Sequence, residues 1–134
     1  MIRTFIDSGV LIEAFRGSSA TAVSALAILN DVNREFVTSE FVRLEVLPKP
    51  VFHRRVLEVA FYNAYFATVA QSAPITRALI RLALRRAEEF GLSAVDALHV
   101  AAAETTGAVE LVTTERPTSP LSRVTSIQVI SIRH

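Results

Sequence analysis

The sequence predicts an α/β domain, a small parallel sheet covered by helices on both faces. Three observations carry this reading. Short apolar runs alternate along the chain with longer segments of helical spacing, and strands separated by helices imply parallel pairing. The length of 134 residues fits one domain, 1–134, with no room for a second. Hydrophobic residues make up 51% of the chain, enough to build a buried core rather than a disordered coil.

The elements follow in order. Thr4-Phe5-Ile6 reads as a buried strand ending at Asp7. From Ser8 to Arg16, Val10, Leu11, Ala14 and Phe15 recur at helical spacing, and Gly17 stops the helix. Ser19 to Asn33 is a second helix, small and apolar. Glu35 to Thr38 is a brief strand, and Thr38-Ser39 caps a helix running to Leu47, where Pro48 and Pro50 break it. Val51 to Ala67 is helical and carries Phe52, Phe61, Tyr62, Tyr65 and Phe66. Pro74 opens a helix with Leu79, Leu82, Ala83 and Ala87 on one face and Gly91 as its stop. Ser93 begins another, through Ala103. Val109 to Thr113 and Ile127 to Ile132 complete the strands.

Composition removes several classes of function. No apolar run reaches the roughly 20 residues needed to cross a bilayer. Asp7 falls too early for the apolar stretch of a secretion signal. With no cysteine there are no disulfides or thiolate metal sites, and a cytoplasmic location is the simplest expectation. A net charge of +1 argues against holding nucleic acid by bulk charge.

The acidic residues are more informative. Asp7 and Asp96 are two of only three aspartates, and both lie against apolar segments, where an unpaired carboxylate is costly. Asp7 ends the first strand and Glu115 follows another, so both belong to the sheet edge where ligands bind in parallel folds. Glu45 rides the helix that leaves the second strand, and Asp96 lies in the first turn of its helix. Each also has an ordinary use: Asp7 as a helix cap, Ser93–Asp96 as a capping box, Glu45 and Glu115 as solvated acids. Together they form a set that would repel itself and take up protons unless a cation sat among them. Oxygen donors without Cys or His suit a hard ion, Mg²⁺ or Mn²⁺.

The same segments resemble a known family. Phe5-Ile6-Asp7-Ser8-Gly9-Val10-Leu11-Ile12 is similar to the opening signature of PIN domains, particularly VapC-type toxins of toxin–antitoxin pairs. Thr38 to Leu47 resembles the segment with their second acid, here Glu45. Leu92-Ser93-Ala94-Val95-Asp96-Ala97-Leu98-His99 is similar to the third, with Asp96 as its acid. Gly107 to Glu115 resembles the closing strand, where Glu115 stands in place of the usual aspartate. The resemblance implies a PIN-like three-layer sandwich and Mg²⁺- or Mn²⁺-dependent cleavage of RNA. It also implies a homodimer and inhibition by a cognate antitoxin protein. Its site would be Asp7, Glu45, Asp96 and Glu115, with Asp7 and Asp96 as the principal metal ligands. The alternative within the fold is an inactive PIN-like module acting through protein–protein contacts, favoured only by Glu115. A phosphoacceptor signalling domain fits poorly, because it needs a late lysine and Lys49 is the sole lysine, mid-chain.

Ser8 and Thr113 can hydrogen-bond a carboxylate, a phosphate or the local backbone. His99, three residues after Asp96 on one helix, reads as a packed histidine rather than a ligand. Arg77, Arg81 and Arg85 form an i, i+4, i+8 stripe, either a solvated face tied to Glu88 and Glu89 or a contact for RNA or antitoxin.

Glu40 and Glu45 share a helix but not a face. Five residues turn a helix by about 500°, which sets the two side chains about 140° apart. Glu40 lies in the first turn, where the helix dipole favours a carboxylate. Glu45→Gln is therefore expected to lose most RNA cleavage with little change in stability. Glu40→Gln is expected to stay active and lose a few tenths of a kcal/mol, the contribution of the helix dipole. Cleavage assays and urea unfolding of both variants check this; the reverse pattern would put the wrong helix face at the site.

Overall fold

Phe5, Ile6, Val37, Leu111 and Val112 are wholly buried, because the central strands are covered on both faces. The computed structural model describes residues 1–133. Its strands are β1 (Ile2–Ile6), β2 (Arg34–Ser39), β3 (Gln71–Ala73), β4 (Glu110–Thr113) and β5 (Gln128–Ser131). They pair in parallel in the order β3-β2-β1-β4-β5. Phe5 lies opposite Val37 on one side and Leu111 on the other, and Ile6 opposite Val112.

The helices are α1 (Ser8–Arg16), α2 (Ala20–Leu29), α3 (Glu40–Val46), α4 (Pro48–Phe52), α5 (Val56–Thr68), α6 (Arg77–Phe90) and α7 (Ala94–Thr105). A 3₁₀ turn spans Pro120–Arg123. From β1 the chain steps outward to β2 and β3, then returns past β1 to β4 and β5. Right-handed crossovers put α1–α5 on one face and α6, α7 and the 3₁₀ turn on the other. The result is the three-layer α/β sandwich with a small parallel sheet that the sequence implies.

Several boundaries differ from the sequence expectation, each for a local reason. The edge strand β3 was not expected: it is three residues long, and Gln71-Ser72-Ala73 carries no apolar alternation. The helix expected over 51–67 is two, broken where Arg54 adopts a φ of 55°. Pro48 starts α4 instead of only ending α3, since a first-turn proline forfeits no helical hydrogen bond. α2 stops at Leu29 rather than Asn33, with Asp31 turning the chain by accepting from the Asn33 N–H at 2.9 Å. Pro74 precedes α6 rather than opening it; Thr76 caps it, accepting from the Leu79 N–H at 3.1 Å. Gly91 ends α6 in the left-handed region at φ 66°, as a C-terminal glycine should. Of the aromatic block, Tyr62, Tyr65 and Phe66 are core, whereas Phe52 is 80% exposed.

Three other carboxylates, two buried and one part-buried, are paired. Glu110 accepts from Thr4 Oγ1 at 2.7 Å and from Arg34 Nε at 2.8 Å, joining β4, β1 and β2. Glu58 takes Arg16 in a two-point pair and the Tyr62 hydroxyl at 2.6 Å, tying α5 to α1. Arg86 grips Glu104 at 2.7 and 2.8 Å, joining α6 to α7. Exposure decides what such pairs contribute. Glu110→Ala removes the main acceptor of the buried Thr4 hydroxyl and one of the two acid partners of the mostly buried Arg34, which keeps Asp31, so a loss of about 2–3 kcal/mol is expected. Glu35→Ala breaks a more exposed pair with Arg3 and is expected to cost no more than about 1 kcal/mol. Urea unfolding of both variants tests the contrast; equal losses would refute it.

Candidate active site

The edge formed by the C-terminal ends of β1, β2 and β4 receives four acids from four segments. Asp7 directly follows β1, and its backbone N–H bonds to Val112 O at 3.1 Å, which seats it beside β4. The side chain is buried and caps α1, accepting from the Val10 N–H at 3.1 Å. Thr113 at the end of β4 hydrogen-bonds the same carboxylate. Its Oγ1 also accepts from the Glu115 N–H at 3.0 Å, and Ser131 Oγ donates to the Glu115 carbonyl, so the backbone at Glu115 is fixed from two sides. Gly9 is needed where α1 crowds this edge: a Cβ there would run into the Thr114 hydroxyl.

Glu45 approaches from α3. Its Oε1 accepts from Ser8 Oγ and from His99 Nε2, the latter at 2.9 Å. Asp96 sits in the first turn of α7, where Ser93 caps the helix by accepting from the Asp96 N–H at 3.3 Å. Glu40 lies elsewhere, exposed, with its carboxylate accepting from the Ile75 N–H at 3.4 Å. The two α3 glutamates therefore point to different surroundings, as the helix rotation requires.

Electrostatics links these groups. Burial drives the Asp7 carboxyl up to about 6; Thr113, His99 and the Val10 N–H pull it down, and Glu115 pushes it up. Burial also raises Asp96, with His99 and Ser93 opposing the rise and Glu45 adding to it. For Glu45 burial works upward too, but hydrogen bonds from His99 and Ser8, with the nearby imidazole, hold it below its usual value. Asp7 thus feels Glu115, Asp96 feels Glu45, and His99 acts on Asp7, Glu45 and Asp96. Among the described residues no three Asp, Glu or His side chains are gathered tightly enough to chelate an ion in this arrangement. The acids stand as interacting pairs.

Sequence reasoning left the link between His99 and Glu45 unread. The histidine is packed, as expected, but its Nε2 is committed to the site. The available signal was its position one turn after Asp96. Ser8 and Thr113 both bond site carboxylates. Arg77, Arg81 and Arg85 form no ion pair among the described residues; Glu89 pairs with Arg86 instead, at 3.6 Å.

This fold and edge define a class, and the chain belongs to the PIN-domain family, whose profile matches residues 4–117. Solved structures with the same fold include a chain of VapBC2 from Rickettsia felis bound to a promoter DNA fragment. It is 12% identical, with a TM-score of 0.72 over 97% of this chain and 98% of that one. A chain of a toxin–antitoxin complex from Klebsiella pneumoniae is 20% identical, with a TM-score of 0.62 over 93% and 98%. VapC20 of Mycobacterium tuberculosis, a sarcin–ricin loop cleaving toxin, is 21% identical, with a TM-score of 0.61 over 89% and 93%. At these identities the likeness is one of fold. No curated protein matches the sequence.

The raised Asp7 carboxyl has a sign that can be checked. The unfolded chain ionises this group near 3.8 and the folded chain only near 6, so ionisation favours unfolding. Without metal, its contribution is full below about pH 4 and is lost as pH rises through about 6. Asparagine keeps the cap on α1 without the charge. Thermal unfolding in chelator should therefore show Asp7→Asn gaining on wild type between pH 4 and 7, on the order of 1–3 kcal/mol. A constant difference across that range would contradict this account of Asp7.

Proposed function

We propose that this chain is a metal-dependent endoribonuclease, hydrolysing RNA phosphodiester bonds as the toxin of a toxin–antitoxin pair. The observation that carries the reading is the supply of Asp7, Glu45, Asp96 and Glu115 from four segments to one edge of a PIN fold. The buried Asp7, pushed up to about 6 and facing a second carboxylate, is a group that a cation would relieve. The donors are oxygen, which fits Mg²⁺ or Mn²⁺. Asp7 and Asp96 would hold the ion, with Glu45 completing the set directly or through water and Glu115 further out. When bound, such an ion supplies the Lewis acidity that phosphodiester hydrolysis requires.

The chain's own groups do the positioning. Val10 N–H and Thr113 fix Asp7, Ser93 fixes the start of α7 beneath Asp96, and Ser8 with His99 fixes Glu45. A substrate phosphate laid on this edge meets carboxylates already oriented before it arrives.

The partner reading rests on the surface beside Glu45. A cleft of about 370 Å³ is lined by Ile12, Arg16, Glu45, Lys49, Glu58 and Tyr62 among others. Next to it Leu44, Val51, Phe52, Val56 and Leu57 are exposed, an apolar surface suited to a protein partner. An antitoxin covering it would bring an Arg or Lys to the acidic edge, and a homodimer working in the cytoplasm completes the proposal.

Asp7→Asn and Asp96→Asn are each expected to keep the fold and to lower RNA cleavage by at least about two orders of magnitude. Assays of purified protein with Mg²⁺ or Mn²⁺ and with chelator measure this. Near wild-type activity of either variant with Mn²⁺ would refute the site. Wild-type protein that binds metal yet cleaves no RNA would favour the inactive module that Glu115 hints at.

A further inference from the structure

Glu45 is held from two directions on a single oxygen. Ser8 Oγ, in the first turn of α1, and His99 Nε2, on α7, both donate to Oε1. These helices lie on opposite faces of the sheet, so the carboxylate on α3 is clamped between the two outer layers. No hydrogen bond among the described residues occupies Oε2.

The histidine is itself fixed. It is 5% exposed, and its ring lies between Phe5 and Phe41 with centroids 5.8 Å from each. Its Nδ1 is buried without a partner. Of the two neutral tautomers, the one with hydrogen on Nδ1 would bury a donor with no acceptor. The other places hydrogen on Nε2, the atom that faces Glu45. Packing therefore selects, of the neutral forms, the tautomer that donates to the carboxylate, and the imidazolium donates to it from the same Nε2.

We propose that His99 is a positioning residue that locks Oε1 of Glu45, leaving Oε2 as the oxygen offered to the divalent cation. The inference rests on the metal-dependent reading above and adds a residue to it. A free glutamate must lose its rotamer freedom when it binds an ion; one already clamped has lost it on folding.

Mn²⁺ binding, read from the electron paramagnetic resonance signal of the free ion, tests this apart from catalysis, with melting temperatures recorded beside it. His99→Leu fills the aromatic slot without a donor and is expected to weaken Mn²⁺ about ten- to a hundredfold. His99→Gln carries an amide N–H near the Nε2 position and is expected to recover most of the affinity. Ser8→Ala, which removes the other donor, is expected to weaken binding in the same direction. Unchanged affinity in His99→Leu, or His99→Gln binding as poorly as His99→Leu at the wild-type melting temperature, overturns the proposal. If both His99 variants fail to fold, wild-type affinity in Ser8→Ala overturns it. Wild-type protein that binds no Mn²⁺ removes the metal-dependent reading and this role with it. Wild-type binding that Asp7→Asn abolishes, beside unchanged affinity in His99→Leu, removes only the role of His99.

Discussion

A carboxylate that water barely reaches stands at the end of the central strand, and the edge of the sheet is organised around its charge. Asp7 takes the Val10 N–H and the positive end of α1, then Thr113 from the neighbouring strand. These donors do not fully offset its burial, and Glu115 adds a repulsion, so the carboxyl holds its proton up to about pH 6. A chain shaped for stability alone would place an apolar residue or a full ion pair there, as it does for Glu110 and Glu58.

Topology explains why the shortfall falls there. From β1 the chain moves to β2 in one direction and reaches β4 in the other, so the connections leaving β1 and β4 part to opposite faces of the sheet. Those two strand ends form a topological switch point, the place where open parallel sheets bind ligands. Asp7 and Glu115 stand on its two sides. The glycine at position 9 lets α1 close against Thr114 beside Asp7.

The opposite end of the logic is seen at Glu45. Its residue is exposed, yet its Oε1 is gripped by groups from both outer layers. Burying His99 between Phe5 and Phe41 makes the core itself a support for the site: the ring is held by packing, and the packing decides which nitrogen donates. Stability and site geometry share this residue.

Much of this was legible in the residues alone. Hydrophobic spacing located α1 and α6, because their buried faces repeat at the helical period, and cap and breaker residues located α3 and α7. The acids at strand ends and helix starts could be read because such positions have a fixed relation to the sheet edge. The strand Gln71–Ala73 could not, since three residues without alternation become a strand only by pairing with β2. The break at Arg54 could not, since a positive φ in arginine leaves no pattern in the sequence. Nor could the pairings of Arg34 with Glu110 and of Glu45 with His99, whose partners lie 76 and 54 residues apart along the chain. The sequence by itself determined most of the helices and strands and set Asp7, Asp96 and Glu115 at strand ends or helix starts, because periodicity and caps are local. Only the tertiary structure decided which donor answers each acid, because that depends on how close two distant side chains come once the core has packed.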